Sequence, residues 1–67
     1  MPKFMVLITS HFDGETQSAA HFFDDIDLAR QYSDDTWSVY DCLTDLQIYE
    51  YSGIQYYIID RRCRRNA

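Results

Sequence analysis

The side chains with chemistry to offer in this 67-residue sequence are two histidines, two cysteines and a dense run of aspartates. His11, His21, Cys42 and Cys63 are of the types that ligate zinc. Their spacing contains no CxxC or HxxxH pair from which chelation could start. No metal and no cofactor is therefore expected, and isolated histidines of this kind suit strand ends or surfaces. Asp24, Asp25, Asp27, Asp34 and Asp35 crowd into one short stretch. Neighbouring carboxylates can act as an acid and base pair, but so small a domain has no walls to exclude water or shift their pKa values. A nucleophile elbow, a P-loop and a dinucleotide fingerprint are all missing, and two glycines are too few to cradle phosphate. No residue is assigned a catalytic role. The chemistry on offer is that of binding.

The formal charge of −5 conceals a polarity. All eleven carboxylates lie in residues 1–60, where Lys3 and Arg30 are the opposing cations. Arg61-Arg62-Cys63-Arg64-Arg65 then returns four positive charges. A body so negative repels nucleic acid, whose binders work by neutralising phosphates. It suits instead a protein partner with a basic groove, including a groove that normally holds DNA or RNA. Helix capping and a solvated face would account for part of the acidic run, yet a merely soluble surface mixes both signs. The partner-binding residues expected on this ground are Asp24, Asp25, Asp27, Asp34 and Asp35, provided that Arg61 to Arg65 do not fold back and neutralise them. The basic segment itself reads as a solvated tail, as a partner for the chain's own carboxylates, or as a partner for an acidic surface or nucleic acid; in a continuing last strand, Arg61 or Arg62 would meet Asp41 or Asp45.

Six tyrosines form the second set: Tyr32, Tyr40, Tyr49, Tyr51, Tyr56 and Tyr57. Tyr56 is expected in the core. Tyr49 and Tyr57 are expected together on a second sheet face, either as cross-strand packing or as an interface, where tyrosine is enriched. Base stacking on that face is disfavoured by the charge. Self-association through it, giving a homodimer, is the alternative to an acidic binder.

The elements that must position these residues can be read in outline. A chain of this length is one domain and buries only about 60% of its unfolded surface, so it needs a partner, a crosslink or a well-packed core. Its 46% hydrophobic content is that of a folded domain. Phe4 to Ile8 is too short for a signal sequence, and no apolar run approaches a membrane span. The expected setting is the cytoplasm, with Cys42 and Cys63 unpaired thiols and no membrane contact.

Phe4-Met5-Val6-Leu7-Ile8 reads as a central strand over about 3–11, buried on both faces. Asp13-Gly14 marks a turn. Residues 16–23 fit a second strand or a helical turn, with the strand favoured slightly. Asp24 or Asp25 can N-cap a helix whose stripe is Ile26, Ala29 and Tyr32, with Phe22 one turn earlier, widened by Leu28 and ending near residue 34; Asp34 and Asp35 then belong to the following loop or cap a second short turn. Residues 37–43 match either period. Leu46 to Tyr51 and Ile54 to Asp60 form a hairpin about Ser52-Gly53. A three-residue loop pairing Glu50 with Ile54 is preferred, because it places Leu46, Ile48, Ile54, Tyr56 and Ile58 on one apolar face. A two-residue loop would pair Tyr51 with Ile54. The expected fold is α+β, an antiparallel sheet of three or four strands packed against one main helix in the order β-(β)-α-β-β, with residues 1–60 as the domain and 61–67 as a basic tail.

A short acidic chain with an apolar first strand, a helix opening Phe-Asp-Asp-Ile-Asp-Leu-Ala-Arg (residues 23–30) and a tyrosine-rich C-terminal hairpin resembles the small α+β inhibitors encoded by bacteriophages, anti-CRISPR proteins among them. The resemblance lies in size, charge and layout. It implies stoichiometric binding to a host defence complex, with a Cas subunit as the partner and its nucleic-acid-binding surface as the target. The terminal arginines depart from a uniform DNA mimic.

Overall fold

In a computed structural model, which describes residues 1–64, the chain runs β1 (Phe4–Phe12), β2 (Glu15–Phe23), α1 (Ile26–Val39), β3 (Leu43–Tyr51) and β4 (Tyr56–Cys63). The strands form one antiparallel sheet in the order β2-β1-β3-β4. This is the expected α+β arrangement, with the second strand present and four strands in all.

Asp13 and Gly14 both take positive φ, 55° and 80°, as a two-residue type I′ hairpin requires. β2 therefore pairs with β1 over nine residues without interruption, from Phe4 opposite Phe23 to Phe12 opposite Glu15. The helix begins where Asp25 turns its carboxylate onto the Asp27 amide, which satisfies one of the orphan N–H groups of the first turn. It then runs five residues past the expected end. Asp34 and Asp35 lie within it and not in a loop, because Thr36 and Trp37 extend the inward stripe by another turn. Ala29, Ser33 and Thr36 are the buried positions, while Leu28, expected to widen the stripe, points to solvent. Ser33 is accommodated by donating its hydroxyl to the Ala29 carbonyl at 2.8 Å.

The core lies between the helix and one sheet face: Phe4, Val6, Leu46, Ile48 and Ala29, ringed by Ile8, Phe23, Ile26, Tyr32, Trp37 and Ile59. The other sheet face has no covering layer. β1 is central in the sheet, as its apolar run implied, but Met5 and Leu7 on the uncovered side are only half-buried. The run Phe4–Ile8 is thus buried on one face and not on both.

The C-terminal hairpin departs furthest from expectation. A four-residue loop, Ser52 to Gln55, is closed by the Ser52 amide donating to the Gln55 carbonyl at 2.8 Å, and Tyr51 pairs with Tyr56. Neither the Glu50–Ile54 nor the Tyr51–Ile54 pairing forms, and Ile54 stands exposed in the loop. A bulge then shifts the register: Tyr49 faces Ile58, Ile48 faces Asp60, and Ile59 is the additional residue. The Tyr51–Tyr56 pairing turns Tyr56 and Ile58 to the uncovered face and Ile59 to the core, so Tyr56 is not a core residue; the bulge then brings Asp60 and Arg62 to the helix side.

Beyond the bulge the strand continues through the basic segment. Arg61, Arg62 and Cys63 are ladder residues of β4, so the expected boundary at residue 60 falls inside a strand. Arg64 docks on the helix C-terminus, whose own last turn contains no basic residue. Its guanidinium donates to the carbonyls of Trp37 (3.0 Å) and Tyr40 (3.1 Å) and lies 4.1 Å from the Trp37 ring. The contact combines a cation at the negative end of the helix dipole with a cation–π pair. Arg64→Ala should lower stability by about 1–2 kcal/mol in urea denaturation. Arg64→Lys should recover only part of it, because lysine lacks the planar fork. Arg65, Asn66 and Ala67 lie outside the described residues.

Candidate protein-binding surfaces

Two surfaces collect the residues singled out by the sequence. The first is acidic and belongs to α1. Asp24 and Asp25 precede the helix, and Asp27 stands in its first turn. Asp35 lies two turns further along, on the side opposite the buried Ala29, Ser33 and Thr36, so the stripe from Asp27 to Asp35 is about 12 Å long. All of these side chains are exposed. The helix N-terminus itself stabilises Asp25 and Asp27 electrostatically, which allows negative charge to be concentrated there at little cost to the fold.

The arginines decide which carboxylates stay unpaired. Arg30 pairs with Asp60 at 3.6 Å, Arg61 with Asp45 at 3.2 Å, and Arg62 with Asp34. Asp34 thus leaves the expected set: the β4 bulge turns Arg62 toward the helix, where Asp34 meets it. Arg64 is committed to carbonyls and to Trp37. Asp24, Asp25, Asp27 and Asp35 form no ion pair among the described residues. The basic segment neutralises the β3–β4 side of the molecule and leaves the N-terminal half of the helix negative.

The second surface is the uncovered face of the sheet. Phe22 on β2, Met5 and Leu7 on β1, Tyr49 and Tyr51 on β3, and Tyr56 and Ile58 on β4 share it. The Tyr51 and Tyr56 rings lie 5.0 Å apart and tilted, and the Phe22 ring is 6.3 Å from Tyr56. The Tyr56 hydroxyl donates to the Pro2 carbonyl at 2.6 Å, which ties the N-terminal residues across this end of the sheet. Tyr57 is not part of the group. It faces Glu50 on the helix side of β4, so Tyr49 and Tyr57 stand on opposite faces; the expectation that they share one rested on a three-residue loop pairing Glu50 with Ile54. Phe22, expected on the apolar stripe of the helix, and Ile58, expected on the core face of the hairpin, are instead the exposed members. Only the Asp13-Gly14 turn and the resulting parity of β2 could have placed Phe22 there.

The opposite end of this face is polar and ordered. Tyr49 donates to Gln47, Gln47 donates to Asp45 at 3.1 Å, and Arg61 donates to the same carboxylate. Hydrogen bonding to Asp45, then its charge, raises the Arg61 guanidinium above its ordinary pKa. The Cys63 thiol lies 3.7 Å from Asp45 and is unpaired, as is Cys42. His11 contacts Thr16 on the β1–β2 hairpin, whereas the exposed His21 ring lies 4.9 Å from the Tyr32 ring of the helix, tilted against it. Among the described residues no three His, Cys, Asp or Glu side chains converge on a metal-sized site. No helix among them is long and apolar enough to cross a membrane.

No protein-family model, no curated protein and no solved structure matches the chain.

Proposed function

We propose that this chain is a stoichiometric protein inhibitor of the kind bacteriophages encode, and that it docks through its acidic helix onto a basic, nucleic-acid-binding surface of a host defence complex. A Cas subunit is the partner its resemblance to anti-CRISPR proteins suggests. The observation that carries the reading is the set of exposed carboxylates at Asp24, Asp25, Asp27 and Asp35, left without ion-pair partners among the described residues while the described arginines are engaged elsewhere. Such a field steers association with a positive cleft and competes there with phosphates. The arrangement calls for no cofactor and no chemical step: occupancy of the cleft is the activity.

The experiment is capture of a binding protein on the immobilised chain at low salt, followed by challenge with duplex DNA and with RNA. Nucleic acid should displace the chain from the captured protein, since both occupy one surface. A ternary complex, with chain and nucleic acid bound together, would sink the proposal.

A second reading is favoured by the exposed Phe22 and Ile58 beside the tyrosine rings of the uncovered sheet face: an interaction module that self-associates through that face. Ile58→Lys distinguishes the two. It should abolish such association and leave an acidic docking surface on the far side of the sheet intact.

A further inference from the structure

The two edges of the sheet are built differently. The β4 edge is interrupted by the Ile59 bulge and carries Asp60, Arg61 and Arg62, devices that prevent another strand from adding to a sheet. The β2 edge has none of them. Its register with β1 is unbroken over nine pairs, and from Thr16 to Phe23 it contains no proline and no Asp, Glu, Lys or Arg.

The direction of its free backbone groups follows from the turn. A two-residue hairpin makes its flanking residues, Phe12 and Glu15, a hydrogen-bonded pair, and the pairs alternate from there. The His11 amide donating away from β2, to the Cys42 carbonyl at 2.9 Å, fits that alternation. Glu15, Gln17, Ala19, His21 and Phe23 therefore bond to β1, while Thr16, Ser18, Ala20 and Phe22 turn their N–H and C=O groups outward.

We infer that β2 pairs antiparallel with β2 of a second copy of this chain about a dyad at Ala19, joining two sheets into one of eight strands. The register is self-complementary. Ser18 faces Ala20 of the second copy and Thr16 faces its Phe22, so every outward backbone group in the overlap meets an outward partner, giving about eight hydrogen bonds. Ala19 meets its own copy as a non-hydrogen-bonded pair, where side chains approach most closely, and a methyl group fits there. Parity is kept, so both helices lie on one side and both uncovered faces on the other. The nearest carboxylates, Glu15 and Asp24, flank the ends of the overlap and lie far from the dyad. A foreign strand could use the same backbone groups, but the small, uncharged and symmetric centre favours the chain itself. The inference does not rest on the inhibitor reading.

Sedimentation equilibrium on the purified full chain tests it. The mass should rise with concentration from 8.0 kDa toward twice that value. Ser18→Pro removes an outward N–H without touching the β1–β2 ladder, and Ala19→Arg sets like charges against each other at the dyad. Both variants should keep the wild-type circular dichroism and remain monomeric, whereas Ile58→Lys should dimerise like the parent. A parent that stays monomeric at millimolar concentration overturns the inference. So does dimerisation of both edge variants, or loss of the dimer in Ile58→Lys alone, which would place the contact on the sheet face.

Discussion

Ile48→Ala should cost about 2–5 kcal/mol and leave much of the protein unfolded at 37 °C. Ile48 is 1% exposed and sits in the middle of β3, between Val6 of β1 and Asp60 of β4, with the helix above it. Truncation there removes buried apolar atoms from a site hemmed by two strands and a helix, so the cavity has little room to collapse. A domain of this length has roughly 3–10 kcal/mol of stability in total, and the substitution removes a large part of it. The same experiment reads the register of the C-terminal hairpin. Ile59, which packs on the core, should cost well over 1 kcal/mol when changed to alanine, whereas Ile58, 46% exposed on the uncovered face, should cost under about 1 kcal/mol. Urea midpoints for the three variants read the order directly. An Ile58→Ala more damaging than Ile59→Ala would mean that the hairpin pairs Glu50 with Ile54 and not Tyr51 with Tyr56.

Changing Asp24, Asp25 and Asp27 together to Asn should weaken partner binding by about tenfold or more with the fold retained. Asparagine is as good an N-cap as aspartate, so the contact that starts the helix survives. The expected stability loss is under about 1 kcal/mol, from the missing charge–dipole interaction at Asp27. What disappears is three of the negative charges that the arginines do not reach. Asp34→Asn is the internal contrast: that carboxylate is paired with Arg62, so its removal should change binding much less than any of the other three. Isothermal titration against the captured partner, with circular dichroism on each variant, provides both readouts.

The sequence was most legible where local chemistry leaves little choice. Asp13-Gly14 marks its turn, the Asp24-Asp25 pair marks the helix start, the apolar run Phe4–Ile8 marks a central strand, and the alternation of β3 places Leu46 and Ile48 on the core face. The helix end was misread because Ser33 and Thr36 look polar, yet each is buried; Ser33 satisfies its hydroxyl within the helix, so the inward stripe continues without an apolar signature. The C-terminal hairpin was misread because its loop has four residues, which inverts the faces of Tyr56, Tyr57 and Ile58, and because the strand beyond carries a bulge, which reflects a tertiary requirement. Ile59 is needed in the core, while Asp60 and Arg62 are needed on the helix side, where Arg30 and Asp34 wait. Arg61 meeting Asp45 was foreseeable from a continuing strand; Arg62 meeting Asp34 required knowing that the helix reaches residue 34. The acidic surface was therefore legible in outline, and the exception at Asp34 was not.

The most direct test of the account is the salt dependence of binding. Affinity of the parent and of the Asp24/Asp25/Asp27→Asn variant for the captured protein should be measured from about 50 to 200 mM salt, the range over which phosphate-like contacts lose strength steeply. The parent's affinity should fall sharply, and the variant should begin weaker and fall along a shallower line. Coincident lines for the two proteins would show that the helix carboxylates are a solvated surface and that the partner is recognised by other means.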